Sequence, residues 1–241
     1  MPVSVRAIPM LSDNYSWLLT ESVSGKTGIV DPAEAAPAIA ALESAGLTLD
    51  FIFLTHHHPD HIDGVAELLE RYNPVVVGNQ ADAHRLPELD IAVHEGMLVD
   101  FGVAKLRVIE VPGHTIGHIA YYIADGGILL PGDTLFSLGC GRLFEGTAAQ
   151  MFASVHKFDD LPDETLLCCG HEYTASNAKF ALAMDPENAA LQVRAAEVIA
   201  LRAAGQPTVP VTLGVERATN PFLRAADAEE FTRLREAKDS F

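Results

Sequence analysis

Cysteine is scarce in this chain, with three in 241 residues. Cys140, Cys168 and Cys169 include one adjacent pair and no CxxC spacing, and their number is odd, so neither a disulfide framework nor a thiolate zinc site is expected. A reducing cytoplasm is the compartment this usage predicts. Basic residues are also few: 16 lysines and arginines face 33 acidic residues, for a net charge of -17. A field of that sign repels polyphosphate, so nucleic acid is not an expected partner, and any anionic substrate would need cations gathered locally. Nowhere do about 18 uncharged apolar residues follow one another, and the first ten residues hold no signal-like apolar run. The expectation is a soluble, unexported protein with no membrane span. Hydrophobic residues nonetheless make up 49% of the chain, enough for a packed globular fold. There is no internal repeat and no low-complexity segment.

Periodicity sorts the chain into two textures. Short apolar runs at Val3 to Ile8, Tyr15 to Leu19 and Gly28 to Val30 read as strands. A helix follows, opened near Pro32, carrying Ala35, Ile39, Leu42 and Ala45 at helical spacing and stopped by Gly46. Then strands at Phe51 to Leu54, Val75 to Val77, Lys105 to Val111, Ile119 to Ile123, Gly127 to Leu130 and Thr165 to Cys168 alternate with helices at His61 to Tyr72 and Ala148 to Phe158. The stretch before Met97 reads as turns. Such alternation indicates an α/β layered domain. From about Tyr173 strand-like runs disappear and Ala-rich helical periodicity takes over. Leu191, Ala195, Val198 and Leu201 share a helix face, and Asp227 with Glu230 stands at capping-box spacing before the last helix. The division predicted is a domain over 1–172 and a small all-α domain over 173–241.

The segment Thr55-His56-His57-His58-Pro59-Asp60-His61 places four histidines and an aspartate in six positions. Imidazole nitrogens and carboxylate oxygens are the donors that suit zinc, iron and manganese. An incidental surface cluster would not sit directly between an apolar strand and an amphipathic helix, as this one does. Three more strands run through a glycine into a ligand-type residue, at Pro112-Gly113-His114, Pro131-Gly132-Asp133 and Gly170-His171. Taken singly, His114 and His171 read equally well as hydrogen-bonded structural histidines and Asp133 as a turn residue. Four recurrences of one arrangement point to loops converging at one edge of a sheet.

These residues resemble the metallo-β-lactamase superfamily, whose THxHxDH string stands here at Thr55 to His61, followed in order by His114, Asp133 and His171. The resemblance implies an αβ/βα sandwich of two mixed sheets. It also implies a first metal on His56, His58 and His114, a second on Asp60, His61 and His171, and Asp133 bridging both. Asp31 matches the superfamily's early aspartate, which supports the ligand loop without touching metal. Longer strings are similar to the glyoxalase II, or hydroxyacylglutathione hydrolase, branch: Asp13-Asn14-Tyr15, Gly139-Cys140-Gly141-Arg142, Gly170-His171-Glu172-Tyr173-Thr174 and Asn220-Pro221-Phe222-Leu223-Arg224.

For that branch the implied reaction is hydrolysis of a glutathione thioester, S-D-lactoylglutathione, to D-lactate and glutathione, the second step of methylglyoxal detoxification. Two divalent ions, zinc with iron or manganese as alternatives, would hold a bridging hydroxide through Asp60 and Asp133. Arg142, Tyr173, Arg235 and Lys238 match the glutathione-binding positions, whereas Phe144 stands where some members carry a tyrosine. Arg235 and Lys238 are three apart and share a helix face. A monomer is expected. His57 is expected to point away from the metals, His118 to stand behind the ligands, and His84, His94 and His156 to be surface or hydrogen-bonded residues. The alternative is a glutathione persulfide dioxygenase with a single iron, but such enzymes carry GRTDF where this chain has Gly141-Arg142-Leu143-Phe144-Glu145.

Overall fold

The computed structural model of the chain describes residues 2–241. Two compact units emerge from it: one comprises the chain up to Glu110 together with Gly117–Gly132, the other Val111–Ile116 together with Asp133–Phe241.

In the first unit a mixed six-stranded sheet is built from Val3–Met10, Asn14–Glu21, Thr27–Val30, Phe51–Phe53, Val75–Asn79 and Ile91–Val93, in that spatial order. The first three strands are antiparallel neighbours and the last four are parallel ones. Alternation along each strand decides which side chain goes where. Ile29, Ile52 and Val76 turn to one face and join Ala38 and Leu42 of the helix Ala35–Ala45 and Val65 and Leu68 of the helix Val65–Tyr72 in a single apolar cluster. Phe53 turns to the other face, where its ring meets Phe101 at 5.9 Å and Tyr121 at 5.4 Å. Those two residues belong to a second set of strands in this unit, Leu98–Phe101, Ala104–Glu110, Ile119–Ile123 and Ile128–Gly132, each antiparallel to the next.

The parallel register puts ligand-type residues together. Val30 lies opposite Phe53, so the residues that follow these strands, Asp31 and Leu54-Thr55, leave the sheet at the same edge. Loops at the carboxyl ends of parallel strands are where α/β sheets place their chemistry.

The single helix predicted over His61 to Tyr72 is two helices, Pro59–Ile62 and Val65–Tyr72. The break falls at Gly64, whose N–H leaves the helical ladder to donate to the Pro32 carbonyl at 3.0 Å. A Cβ at that position would lie 2.7 Å from the same oxygen, so only glycine allows the approach. The turn-rich reading before Met97 missed the strand Ile91–Val93, three residues too short to show alternation.

In the second unit the helices Thr174–Met184 and Ala189–Ala203 pack Ala178, Ala181, Leu191 and Ala195 around Leu138. Phe222 stacks beside Phe180 and edge-on to Phe231 of the last helix, Ala228–Ser240. The Asp227 carboxylate caps that helix by accepting from the Glu230 N–H at 2.8 Å, as the capping-box spacing predicted, while Glu230 reaches back to Ala226 N–H instead of Asp227. Strand structure does not end at Tyr173. Val211–Thr212 pairs antiparallel with Leu166–Leu167 of the strand Leu166–Cys169. A two-residue strand leaves no periodic trace in sequence.

Candidate metal centre

Each unit holds a cluster of histidine and carboxylate. In the first, Asp31 follows its strand in the left-handed region at φ 51°, a conformation aspartate tolerates better than most residues. That backbone turn aims the carboxylate at the next strand end. Its Oδ1 accepts from the Thr55 N–H at 2.8 Å, and Oδ2 accepts from the Thr55 hydroxyl at 2.6 Å and faces His61 Nδ1 at 3.0 Å. The Thr55 oxygen, its own proton given to Asp31, stands 3.0 Å from His56 Nδ1. A consistent proton assignment follows. Both His56 and His61 carry hydrogen on Nδ1, so both present a lone pair at Nε2.

What those lone pairs meet is informative. His56 Nε2 is 3.1 Å from His58 Nδ1, and His61 Nε2 is 3.7 Å from Asp60 Oδ2. Asn14 donates to both the carbonyl and the Oδ2 of Asp60 at 3.0 Å, fixing that carboxylate's direction. Asp31, His56 and His61 offer atoms within 4.8 Å of one another, but Asp31 already serves Thr55 twice and His61 once, so it stands behind the two imidazoles. His118 is fully buried and stacked on the His56 ring at 4.5 Å. His57 turns away toward Asp82, at 3.3 Å, which also takes the Arg85 guanidinium.

In the second unit, His114 Nδ1 donates to the Arg142 carbonyl at 2.8 Å and therefore also presents Nε2 as a lone pair. That nitrogen lies 3.5 Å from Asp133 Oδ2, and His171 Nε2 lies 3.2 Å from the same oxygen. His114, Asp133 and His171 are all buried.

Two of these contacts, His61 Nε2 to Asp60 Oδ2 and His114 Nε2 to Asp133 Oδ2, set a lone pair against a carboxylate oxygen, which is repulsive inside a protein unless a cation lies between them. Donors bonded to one tetrahedral zinc at about 2.0–2.1 Å stand about 3.3 Å apart. The four separations found here, 3.1, 3.7, 3.5 and 3.2 Å, bracket that value. The donor sets thus fit divalent metal.

Around the second cluster lie the residues expected to touch substrate. Tyr173 is partly exposed, its ring stacked on His171 at 4.6 Å and 4°. The exposed Phe144 meets the His114 ring edge-on at 5.2 Å. Arg142 is exposed and 3.9 Å from Asp239. Lys238 is half-buried over the rings of Phe180 and Phe241. Partial burial, then the neighbouring charges of Arg235 and Arg142, hold its ammonium pKa below the ordinary value. Arg235 is buried and engaged: Nη1 donates to the Cys140 carbonyl at 3.0 Å and Nη2 pairs with Asp239 at 2.8 Å. Burial pushes the Cys140 thiol up to about 11, which argues against a thiolate nucleophile. Asn14 and Thr55 carry site architecture that residue type alone did not announce; the Asp13-Asn14-Tyr15 string was the signal for the first.

Comparison with known proteins adds the following. The family model described as "Metallo-beta-lactamase superfamily" matches residues 11–171, and that described as "Hydroxyacylglutathione hydrolase C-terminus" matches 172–241. A curated protein of Ruegeria pomeroyi, named hydroxyacylglutathione hydrolase, is 52% identical over all of both chains. One of the same name from Acidiphilium cryptum is 56% identical, covering 99% of this chain and 97% of its own. Among solved structures, ETHE1 from Myxococcus xanthus aligns with TM-score 0.74 at 26% identity, over 97% of this chain and 90% of that one. TTHA1623 in a di-iron-bound form aligns with TM-score 0.65 at 26% identity, over 91% of this chain and all of the other. Family and donor sets together mark a binuclear metal site.

Proposed function

Because the chain belongs to the hydroxyacylglutathione hydrolases of the metallo-β-lactamase superfamily, we propose that it hydrolyses the thioester of S-(2-hydroxyacyl)glutathiones, S-D-lactoylglutathione foremost, to the hydroxy acid and glutathione. The observation that carries this reading is the end-to-end match to two relatives of that name, C-terminal segment included. The proposed ligands are His56, His58 and His114 for one ion, Asp60, His61 and His171 for the other, and Asp133 for both, with zinc as the metal. Residues 1–172 would carry the metals and Arg142, and 173–241 the remaining substrate contacts, in a cytoplasmic monomer.

Two divalent ions supply a hydroxide nucleophile at neutral pH and a Lewis acid for the thioester carbonyl. The chain's own residues prepare for that chemistry. Asp31, directly and through Thr55, keeps the Nδ1 protons on His56 and His61, so that the opposite nitrogens stay available as ligands. Asn14 keeps the Asp60 carboxylate turned inward. Arg142 and Lys238 supply local positive charge to draw in the glutathione carboxylates against a net charge of -17. Tyr173 offers a hydroxyl to the peptide. Arg235 acts on substrate through the Cys140-Gly141 backbone that it grips, as well as by its charge. The departing glutathione thiol has a pKa of about 8.5, so it leaves as thiolate with little protonation and needs no dedicated general acid.

The test offers metal-replete protein S-D-lactoylglutathione and, separately, glutathione persulfide. Thiol release from the first without oxygen uptake on the second is expected. Oxygen consumption without thiol release would replace this reading with the dioxygenase.

A further inference from the structure

The loop between Asp133 and Arg142 is held by a buried polar network whose main members come from beyond Thr174. Two short strands, Leu135–Phe136 and Gly139–Cys140, pair antiparallel and turn through Ser137 and Leu138. Leu138 adopts φ 59°, a left-handed conformation that a branched side chain does not choose unaided. Glu216, fully buried on the helix Leu213–Thr219, meets this turn. One carboxylate oxygen accepts from the Ser137 hydroxyl at 2.7 Å and the other from the Leu138 N–H at 2.7 Å. Asn220, also fully buried, donates to Glu216 at 3.0 Å and to the carbonyls of Phe136 and Gly139 at 3.0 and 3.1 Å. Asn177 takes the Ser137 carbonyl at 3.1 Å, and Arg194 brings a counter-charge to the Ser137 hydroxyl at 3.4 Å.

This turn lies between two residues of consequence. On the entry side is Asp133. On the exit side Gly141 passes so close that a Cβ there would stand 2.0 Å from the Asp133 carbonyl, and the next carbonyl, that of Arg142, receives the His114 Nδ1 proton. Moving the hairpin would therefore move the Asp133 carboxylate and the acceptor that sets the His114 tautomer. Burying a carboxylate is costly unless it is fully hydrogen-bonded, and an apolar side chain could fill the same space more cheaply. A carboxyl kept in that position, with both oxygens engaged at a strained turn, has a positioning use.

We propose that Glu216, seconded by Asn220, is a positioning residue for the proposed metal ligands Asp133 and His114, so that the C-terminal segment helps build the metal site as well as receive substrate. The proposal rests on the reading of Asp133 and His114 as ligands, and its test separates the two. Metal stoichiometry and affinity are measured by zinc competition on the full chain for wild type, D133N, E216A, E216Q and L42A, with kcat and KM alongside. D133N is expected to lose an ion. E216A should bind zinc about 10-fold more weakly, the low end of the range for losing a ligand's direct partner because Glu216 acts through the hairpin backbone, with kcat falling and KM moving less than about threefold. E216Q keeps an acceptor for Leu138 and a partner for Ser137, and should return affinity to within about threefold of wild type. L42A opens a cavity in the apolar cluster of the first unit, which includes no residue of the hairpin, and should lower the melting temperature while leaving zinc affinity unchanged.

If E216A does not fold, S137A, which removes only the hydroxyl, is the substitute, with at least threefold weaker zinc binding expected. Wild-type affinity in E216A (or in S137A as its substitute) alongside metal loss in D133N would overturn the clamp alone. Equal loss in E216A and L42A would reduce Glu216 to a structural role. Two ions retained by D133N would remove the ligand reading and the clamp with it.

Discussion

Asp31→Asn tests the metal centre at a point where geometry sets the outcome. The left-handed backbone at residue 31, φ 51°, suits asparagine as well as aspartate, so the exchange leaves the turn unstrained. What changes is a single acceptor. In the native arrangement Oδ2 accepts from the Thr55 hydroxyl and from His61 Nδ1. With the amide oxygen kept on the Thr55 N–H, the new NH2 group points at both of these partners. The Thr55 hydroxyl then has to turn toward His56 Nδ1, and His61 Nδ1 has to become an acceptor. Both rings are driven to the tautomer that carries hydrogen on Nε2, the nitrogen facing the proposed metal positions. Metal binding must reverse that and force a donor against a donor. Such outer partners are worth about 10–100-fold in metal affinity, or about 1.4–2.7 kcal/mol. Competition against a chromophoric chelator would read the loss, and melting of the metal-free proteins would show whether the fold is intact. Affinity within twofold of wild type in a folded D31N protein would refute the proton assignment and, with it, the role given to Asp31 and Thr55.

Lys238→Met should raise KM for the glutathione thioester about tenfold, the 1.4 kcal/mol expected of a half-buried charged contact, with kcat within twofold; steady-state kinetics at two salt concentrations check this, and wild-type KM should itself rise with salt. Glu21→Gln reports on the fold away from the metals. The Ser24 hydroxyl and the N–H groups of Val23, Ser24 and Val103 hold the Glu21 carboxyl at about 2 against the opposing effect of burial. A carboxyl lowered from 4.5 contributes stability fully above pH 4.5 and loses it as pH falls toward 2. The gap in urea midpoint between wild type and E21Q should therefore be open at pH 7 and close between pH 4.5 and 2; a gap independent of pH would show that the charge is not what matters there.

What could be read from sequence were features whose signal is local. A strand, a glycine and a ligand-type residue are neighbours in the chain, and the fold preserves that relation: Val30 to Asp31, Phe53 to His56, Gly132 to Asp133, Cys169 to His171. The match to two family models, which together span residues 11–241, agrees with that reading. What could not be read were relations made by residues far apart. Gly64 breaks a helix because it meets Pro32, and Glu216 meets Ser137 across 79 positions. Arg235 illustrates the limit from the other side. On a charged terminal helix a basic pair looks the same whether it is solvated or enclosed; here Arg235 is 4% exposed and holds backbone carbonyls, while Lys238 remains half open.

That contrast bears on how an acidic protein would hold an anionic substrate. A guanidinium with fixed carbonyl and carboxylate partners keeps its charge without wandering, and it raises the potential around the two less constrained cations beside it. The lowered pKa of Lys238, caused after partial burial by Arg235 and then Arg142, is the mark of that crowding. Like charges held close repel one another, and an incoming carboxylate relieves the repulsion on binding. Asp239 already offsets part of that repulsion, pairing with Arg235 at 2.8 Å and raising the Lys238 pKa, and under the proposed function the substrate carboxylate would offset more of it. Under the proposed function a chain carrying 33 acidic side chains would need such a local reserve, because its long-range field repels the glutathione carboxylates.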